Sequence, residues 1–244
     1  QKSNPGMEWW ARYQPVDYGV IEGRGSETDL RDLVRVGHDC QVKVIADVVF
    51  NHMADLGDCR DLRCFPGLSP DDFHPRCEIN YADGNKFSEV NCWLGSLPDL
   101  IHNDKVQRLQ KAHLKKLLDL GIDGFRFDAA KHMPREVVAE YVRYINDQSN
   151  GNAWNYLEVI EDQDTRAEDY NDIAAVTDFV LYKSMKRAFS AGGDLRSLRI
   201  PAAVNDPRSV TFGQNHDTIR YLNPQYAIDP YGDYTDSYLA TAYV

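Results

Sequence analysis

Four short stretches place ionisable side chains at the ends of apolar runs: "DVVFNH" (47–52), "GFRFDAAKH" (124–132), "YLEVIED" (156–162) and "FGQNHD" (212–217). In an extended chain alternate residues share a face, so Phe125 and Phe127 point one way while Arg126 and Asp128 point the other. Charged groups inside an apolar run persist only when paired. A structural ion pair satisfies that condition, and so does a site. Asp128, Glu158 and Asp217 each close a run. Carboxyls gathered in unlike environments can divide nucleophilic and acid–base work between them. Taken singly each has a duller reading, Asp217 for instance as a helix cap or turn residue. Four coincident placements require every dull reading to hold independently.

These groups converge only if their strands run parallel. "VKVIADVVF" (42–50) is near-continuously apolar and β-branched, as in a parallel strand covered on both faces. "WARYQPVDY" (10–18), "AWNYLEVI" (153–160), "AVTDFVLY" (175–182) and "SVTFGQNHD" (209–217) read as extended. Between them lie helical patterns: 26–39 with a capping-box-like Ser26 and Asp29, 105–121 stopped by Gly121, and a helix opened by Pro134. Two more begin near Lys183 and Thr235. Alternating strands and helices imply a parallel sheet, doubly wound or closed into a barrel. The exception is an irregular, Cys-bearing stretch inserted after a strand's C-terminal end, the active-site face of a barrel. The expected divisions are therefore 1–52, 53–103 and 104–244.

With 38 acidic against 27 basic residues, the net charge of −11 argues against nucleic acid or an anionic membrane as partner. No stretch approaches the ~18 apolar residues of a membrane span. Four of the five cysteines, Cys59, Cys64, Cys77 and Cys92, sit in the irregular stretch, which suggests disulfides and an oxidising compartment, with zinc as the competing reading. Cys40 is expected to be a buried thiol. The polar start without Met and the apolar stop at "SYLATAYV" read as a piece of a longer protein.

In order and spacing, the four stretches resemble the signature regions of the α-amylase family, glycoside hydrolase family 13. "LPDL" (97–100) resembles a fifth region, and "WWARYQPVDYGV" and "KHM" resemble the animal-like and related bacterial members. The resemblance implies an incomplete (β/α)8 barrel, about strands 2–7, with a small domain B inserted after strand 3. It implies retaining, endo-acting cleavage of α-1,4-glucosidic bonds in starch or maltooligosaccharides; exo-cleavage or transglycosylation by the same fold is the alternative. Asp128 matches the nucleophile, which Arg126 would hold ionised. Glu158 matches the acid/base, Glu161 being the other candidate in its segment, and Asp217 matches the third carboxylate. His52 and His216 match donors to sugar hydroxyls. Trp10, Tyr13 and Gln14 match contacts near the nucleophile, and Lys131 and His132 match contacts on the leaving-group side.

A calcium ion is also implied, held by the side chains of Asn51 and Asp99 and the backbone carbonyls of His132 and Val90. Asp99 as a helix cap is the competing reading. Chloride near Arg126 and Asn215 stays undecided. Asp47 is expected to be structural, near Arg126. Cys77 and Cys92 resemble a disulfide pair, and whether Cys59 pairs with Cys64 is left open. The family further implies a secreted protein, monomeric when whole, and this segment alone is expected to be inactive.

Overall fold

The computed structural model describes every residue except 1, 7, 83, 200–202, 220–222, 232 and 233. The chain forms two compact units, one of residues 1–158 with 162–165, the other of 159–161 with 166–244.

The first unit contains, in chain order, β1 (Lys2–Ser3), β2 (Pro15–Asp17), α1 (Glu27–Asp39), β3 (Ile45–Val48), α2 (Phe87–Asn91), α3 (Asp104–Asp119), β4 (Gly124–Phe127), α4 (Arg135–Ser149) and β5 (Trp154–Leu157). Strands β3, β4 and β5 are parallel, and their register aligns Asp47 with Arg126 and Arg126 with Tyr156. Helices α3 and α4 make the crossovers, so all three strands end on one edge. Local signals fix the helix ends. Ser26 and Asp29 form the expected capping box on α1. Asn103 accepts from the amides of Lys105 and Val106 at the start of α3, and Gly121 takes the left-handed φ of +94° beyond its end. Behind the sheet, Phe127 stacks on Tyr141 at 6.3 Å and Phe50 meets Tyr141 edge-on at 5.4 Å, all fully buried.

Residues 53–103 fall within this unit and are mostly irregular. A region with so little ladder pairing needs other fastenings. Two disulfides are present, Cys77–Cys92 as the resemblance implies and Cys59–Cys64, a pairing the sequence left open, and single β-bridges join His52 to Asp99 and Phe73 to Leu100. All four cysteines of this stretch are bonded in pairs, so none offers a thiolate to zinc.

The second unit carries β6 (Ala175–Thr177), α5 (Phe179–Phe189), β7 (Ser209–Val210) and α6 (Thr235–Tyr243). β6 and β7 are parallel, and Phe179, Tyr182, Met185, Ile228 and Ala240 form its core.

Several expectations are corrected. Residues 9–13 form a 3-10 turn instead of a strand, and β2 pairs antiparallel with β1, outside the parallel ladder. β3 is not covered on both faces, since Asp47 is exposed and Ile45 and Ala46 only half-buried. The apolar run 175–182 splits after Thr177, because the Asp178 side chain accepts from the Leu181 amide and starts α5 there. The expected strand 209–217 stops at Val210; the Asn215 side chain accepts from the amides of Asp217 and Thr218 and turns the chain. Cys40 is exposed, because it is the C-cap of α1 and not a strand neighbour.

Candidate active site

One guanidinium organises the strand ends of the first unit. Arg126 is 7% exposed, and its NH1 donates to both carboxylate oxygens of Asp47 at 2.7 Å and to Asp128 Oδ1 at 3.1 Å. Its NH2 reaches Glu158 Oε1 at 2.6 Å. The register explains this, because Asp47 lies beside Arg126 on the neighbouring strand, while Asp128 and Glu158 each sit one residue past a strand. Ala129 then adopts a left-handed conformation, φ 47° and ψ 37°, which an L-residue holds only against strain. The turn has a use: the Ala129 amide donates to Glu158 Oε2 at 3.0 Å, and the Ala130 amide donates to the Glu158 carbonyl at 3.1 Å. Both Glu158 oxygens are therefore held.

Burial and the negative charge of Glu158 push Asp128 well above the ordinary carboxylate range, and Arg126 only partly opposes them. Arg126 acts on Asp128 in the expected direction, towards the charged form. The cation is divided among three acids, Asp47, Asp128 and Glu158.

Around this cluster, Tyr13 donates its hydroxyl to Asp47 Oδ2 at 2.9 Å and lies beneath the Arg126 guanidinium at 5.7 Å. His52 is buried and its Nε2–H is taken by the Tyr13 carbonyl at 2.9 Å; burial pushes it down to about 4, leaving a neutral ring at pH 7. Gln14 accepts from Asn4 at 2.9 Å, and Trp10 is 47% exposed. Lys131 is buried, ion-paired to Asp162, with its ammonium 4.6 Å from the Tyr81 ring centre. His132 is buried, with Nδ1 3.0 Å from the Glu89 carbonyl, and burial pushes it down to about 4. Asp217 and His216 belong to the second unit, where His216 Nε2 lies 3.3 Å from Asp217 Oδ2. Glu161 is also there, accepting from the Ala167 amide, so it is not the acid on Arg126.

The residues expected to bind calcium fit a hard cation. Asn51 Oδ1 and Asp99 Oδ1 are buried oxygens without a hydrogen-bond partner. Asp99 Oδ2 accepts from His74 Nδ1 at 2.6 Å, and burial pushes Asp99 up to about 6. Asp99 caps no helix, since Asn103 caps α3. Buried oxygens lacking protons to face suit an ion of the calcium type.

Sequence reasoning missed Asp162, Thr165 and Glu89. The signal was a buried lysine that must have a counter-charge, followed in the next loop by the acids of "EDQDT".

Carboxyls gathered round a buried guanidinium at the C-terminal edge of parallel strands are the placement that active-site residues take in β/α-barrel proteins. No family model matches the chain. An α-amylase-related protein from Drosophila auraria is 34% identical over 251 residues, covering 89% of this chain and 49% of that relative. A mutant α-amylase I from Eisenia fetida, solved with maltohexaose, superposes with a TM-score of 0.73 at 28% identity over 86% of this chain and 49% of that one. An α-amylase from Geobacillus thermoleovorans complexed with acarbose gives 0.72 at 25% identity, over 93% and 52%. The chain belongs to the α-amylase family, glycoside hydrolase family 13, with the (β/α)8-barrel fold, and spans about half the length of the curated relatives it matches.

Proposed function

We propose that this chain carries the catalytic centre of an endo-acting, retaining α-glucan hydrolase, with Asp128 as nucleophile and Glu158 as acid/base. The observation that carries the reading is one buried guanidinium, also paired with Asp47, that holds both of these buried carboxyls at adjacent strand ends. A shared guanidinium supports the short separation of a retaining pair, ~5–5.5 Å, over the wider spacing of an inverting one. In the glycosylation step Glu158 gives its proton to the leaving oxygen and becomes the carboxylate, while Asp128, acting as a carboxylate, forms the bond to the anomeric carbon as the glycosidic C–O bond breaks. Arg126 stabilises that charge. Asp217 supplies the third carboxylate by its place in "GQNHD", binding sugar hydroxyls as positive charge builds on the ring. The exposed Trp10 face offers a stacking surface, and Lys131 and His132 line the leaving-group side.

Asn51 and Asp99, with the carbonyls of His132 and Val90, would hold calcium. Its contribution there is to fasten 53–103 to the strand ends, not to act on the bond. The disulfides support a secreted protein. Starch and a defined maltooligosaccharide, digested by the whole protein that contains this chain, test the reading. Internal cleavage with initial α-anomer formation is expected, lost in Asp128→Asn, Glu158→Gln and Asp217→Asn. Initial β-anomer, or full activity in Asp128→Asn, would overturn it.

A further inference from the structure

The loops around Glu158 are tied together by an ion pair of Lys131 to which the proposed function gives no role. Lys131 follows Asp128 by three residues and is 6% exposed, and its ammonium pairs with Asp162, four residues past Glu158. The other oxygen of Asp162 accepts from the amides of Asp164 and Thr165, each at 2.9 Å. That tight turn aims two side chains at the inserted segment. Thr165 Oγ1 donates to Glu89 Oε2 at 2.9 Å, and Asp164 Oδ2 accepts from the Gly84 amide at 2.9 Å. Glu89 is fully buried on α2. Residues 162–165 accordingly belong to the first unit although their neighbours on both sides belong to the second.

The turn that Lys131 occupies is the one that grips Glu158, through the Ala129 and Ala130 amides. A buried ammonium has no cheap alternative to its counter-ion, so the place of Asp162 determines the place of this turn.

We propose that Asp162 is a positioning residue for Glu158: through Lys131 it fixes the turn whose amides hold the Glu158 carboxyl, and through the Thr165 and Gly84 contacts it makes that hold depend on the inserted segment. This rests on Glu158 being the acid/base. A clasp that merely added stability would leave the reacting carboxyl unchanged. A clasp that positions it changes both the rate and the alkaline limb of the pH–rate profile. In Asp162→Asn the Lys131 ammonium is left without its partner near Glu158, which favours ionised Glu158 and moves the alkaline limb of the pH–rate profile to lower pH.

The test uses the whole protein that contains this chain, acting on a defined maltooligosaccharide across pH, with amide hydrogen exchange measured in parallel. Asp162→Asn should lower kcat by about 10²-fold, the scale of a small misplacement of a reacting group, with KM changed much less. Its alkaline limb should shift down, and the amides of Ala129, Ala130 and Gly84 should exchange faster. Asp162→Glu should recover part of kcat. The double variant Lys131→Met/Asp162→Asn, which removes the stranded charge, should return the limb to its wild-type position. If Asp162→Asn does not fold, the double variant and Asp162→Glu still report: a wild-type profile with unaltered kcat in both overturns the proposal. So does a folded Asp162→Asn with unaltered kcat, or one whose Ala129 and Ala130 exchange is unchanged. A wild-type protein that cleaves no glucan refutes the catalytic reading alone, and the exchange rates then judge the clasp by themselves.

Discussion

Asp128→Asn should destroy activity and stabilise the fold, and the two effects should separate with pH. The amide is nearly isosteric and keeps an oxygen facing Arg126, which donates to Asp128 Oδ1 at 3.1 Å. What it removes is an acid whose folded-state pKa lies well above its unfolded value, through burial and the charge of Glu158. The sign follows from proton counting. Below the unfolded carboxylate value both states are protonated, and Asp128 makes no pH-dependent difference. Between that value and the raised one the unfolded chain has released the proton and the native state has not. Wild-type stability then declines by up to about 1.4 kcal/mol per pH unit, while the Asn variant has no such term. Above the raised value the difference is constant.

Melting temperatures measured calorimetrically from pH 4 to 8 should therefore nearly coincide at pH 4 and diverge upward for the variant. Each 1 kcal/mol corresponds to roughly 2–4 °C for a domain of this size. A gap that widens as pH rises above the unfolded carboxylate value, with no starch cleavage, is the expected outcome. A gap that is flat with pH, or a variant that melts lower at pH 7 than wild type, would refute the argument that burial and Glu158 outweigh Arg126.

Three further outcomes are expected. In Gly124→Ala the added Cβ would overlap the backbone carbonyl of Trp154 across the β4–β5 ladder, so urea unfolding should show a loss of at least 1–3 kcal/mol, about the usual cost of overpacking, and no gain from reduced chain entropy. Replacing Cys77 and Cys92 by Ser opens a loop of sequence separation 15, and should lower stability by about 3 kcal/mol with proteolytic nicking within 77–92 as the readout. Chelation should lower the melting temperature of wild type but leave Asp99→Ala, already destabilised, unmoved; equal sensitivity in both would place the ion elsewhere.

Parts of this molecule were legible because the determinants are local. The capping box at Ser26, the stop at Gly121 and the alternation in 124–128 each depend on a few consecutive residues, and all three hold. Strand lengths in the second unit were not legible, because apolar residues after Thr177 suit a buried helix face as well as a strand, and one Asp178 side chain decides between them. The pairing of Arg126 with Asp128 could be read from their spacing. Its electrostatic outcome could not, since it depends on Glu158 and Asp47 arriving from other strands. Asp162 escaped notice for the same reason: its partner lies 31 positions away in sequence.

That Asp47, Asp128 and Glu158 lean on one cation also constrains how this sequence can change over generations. Loss of the arginine strands two buried acids and frees the exposed Asp47, and loss of any single acid unbalances the remaining two against a full positive charge. The cheap mutational routes away from this cluster are therefore simultaneous ones, and lineages that drop the chemistry should show the quartet eroded as a block instead of position by position.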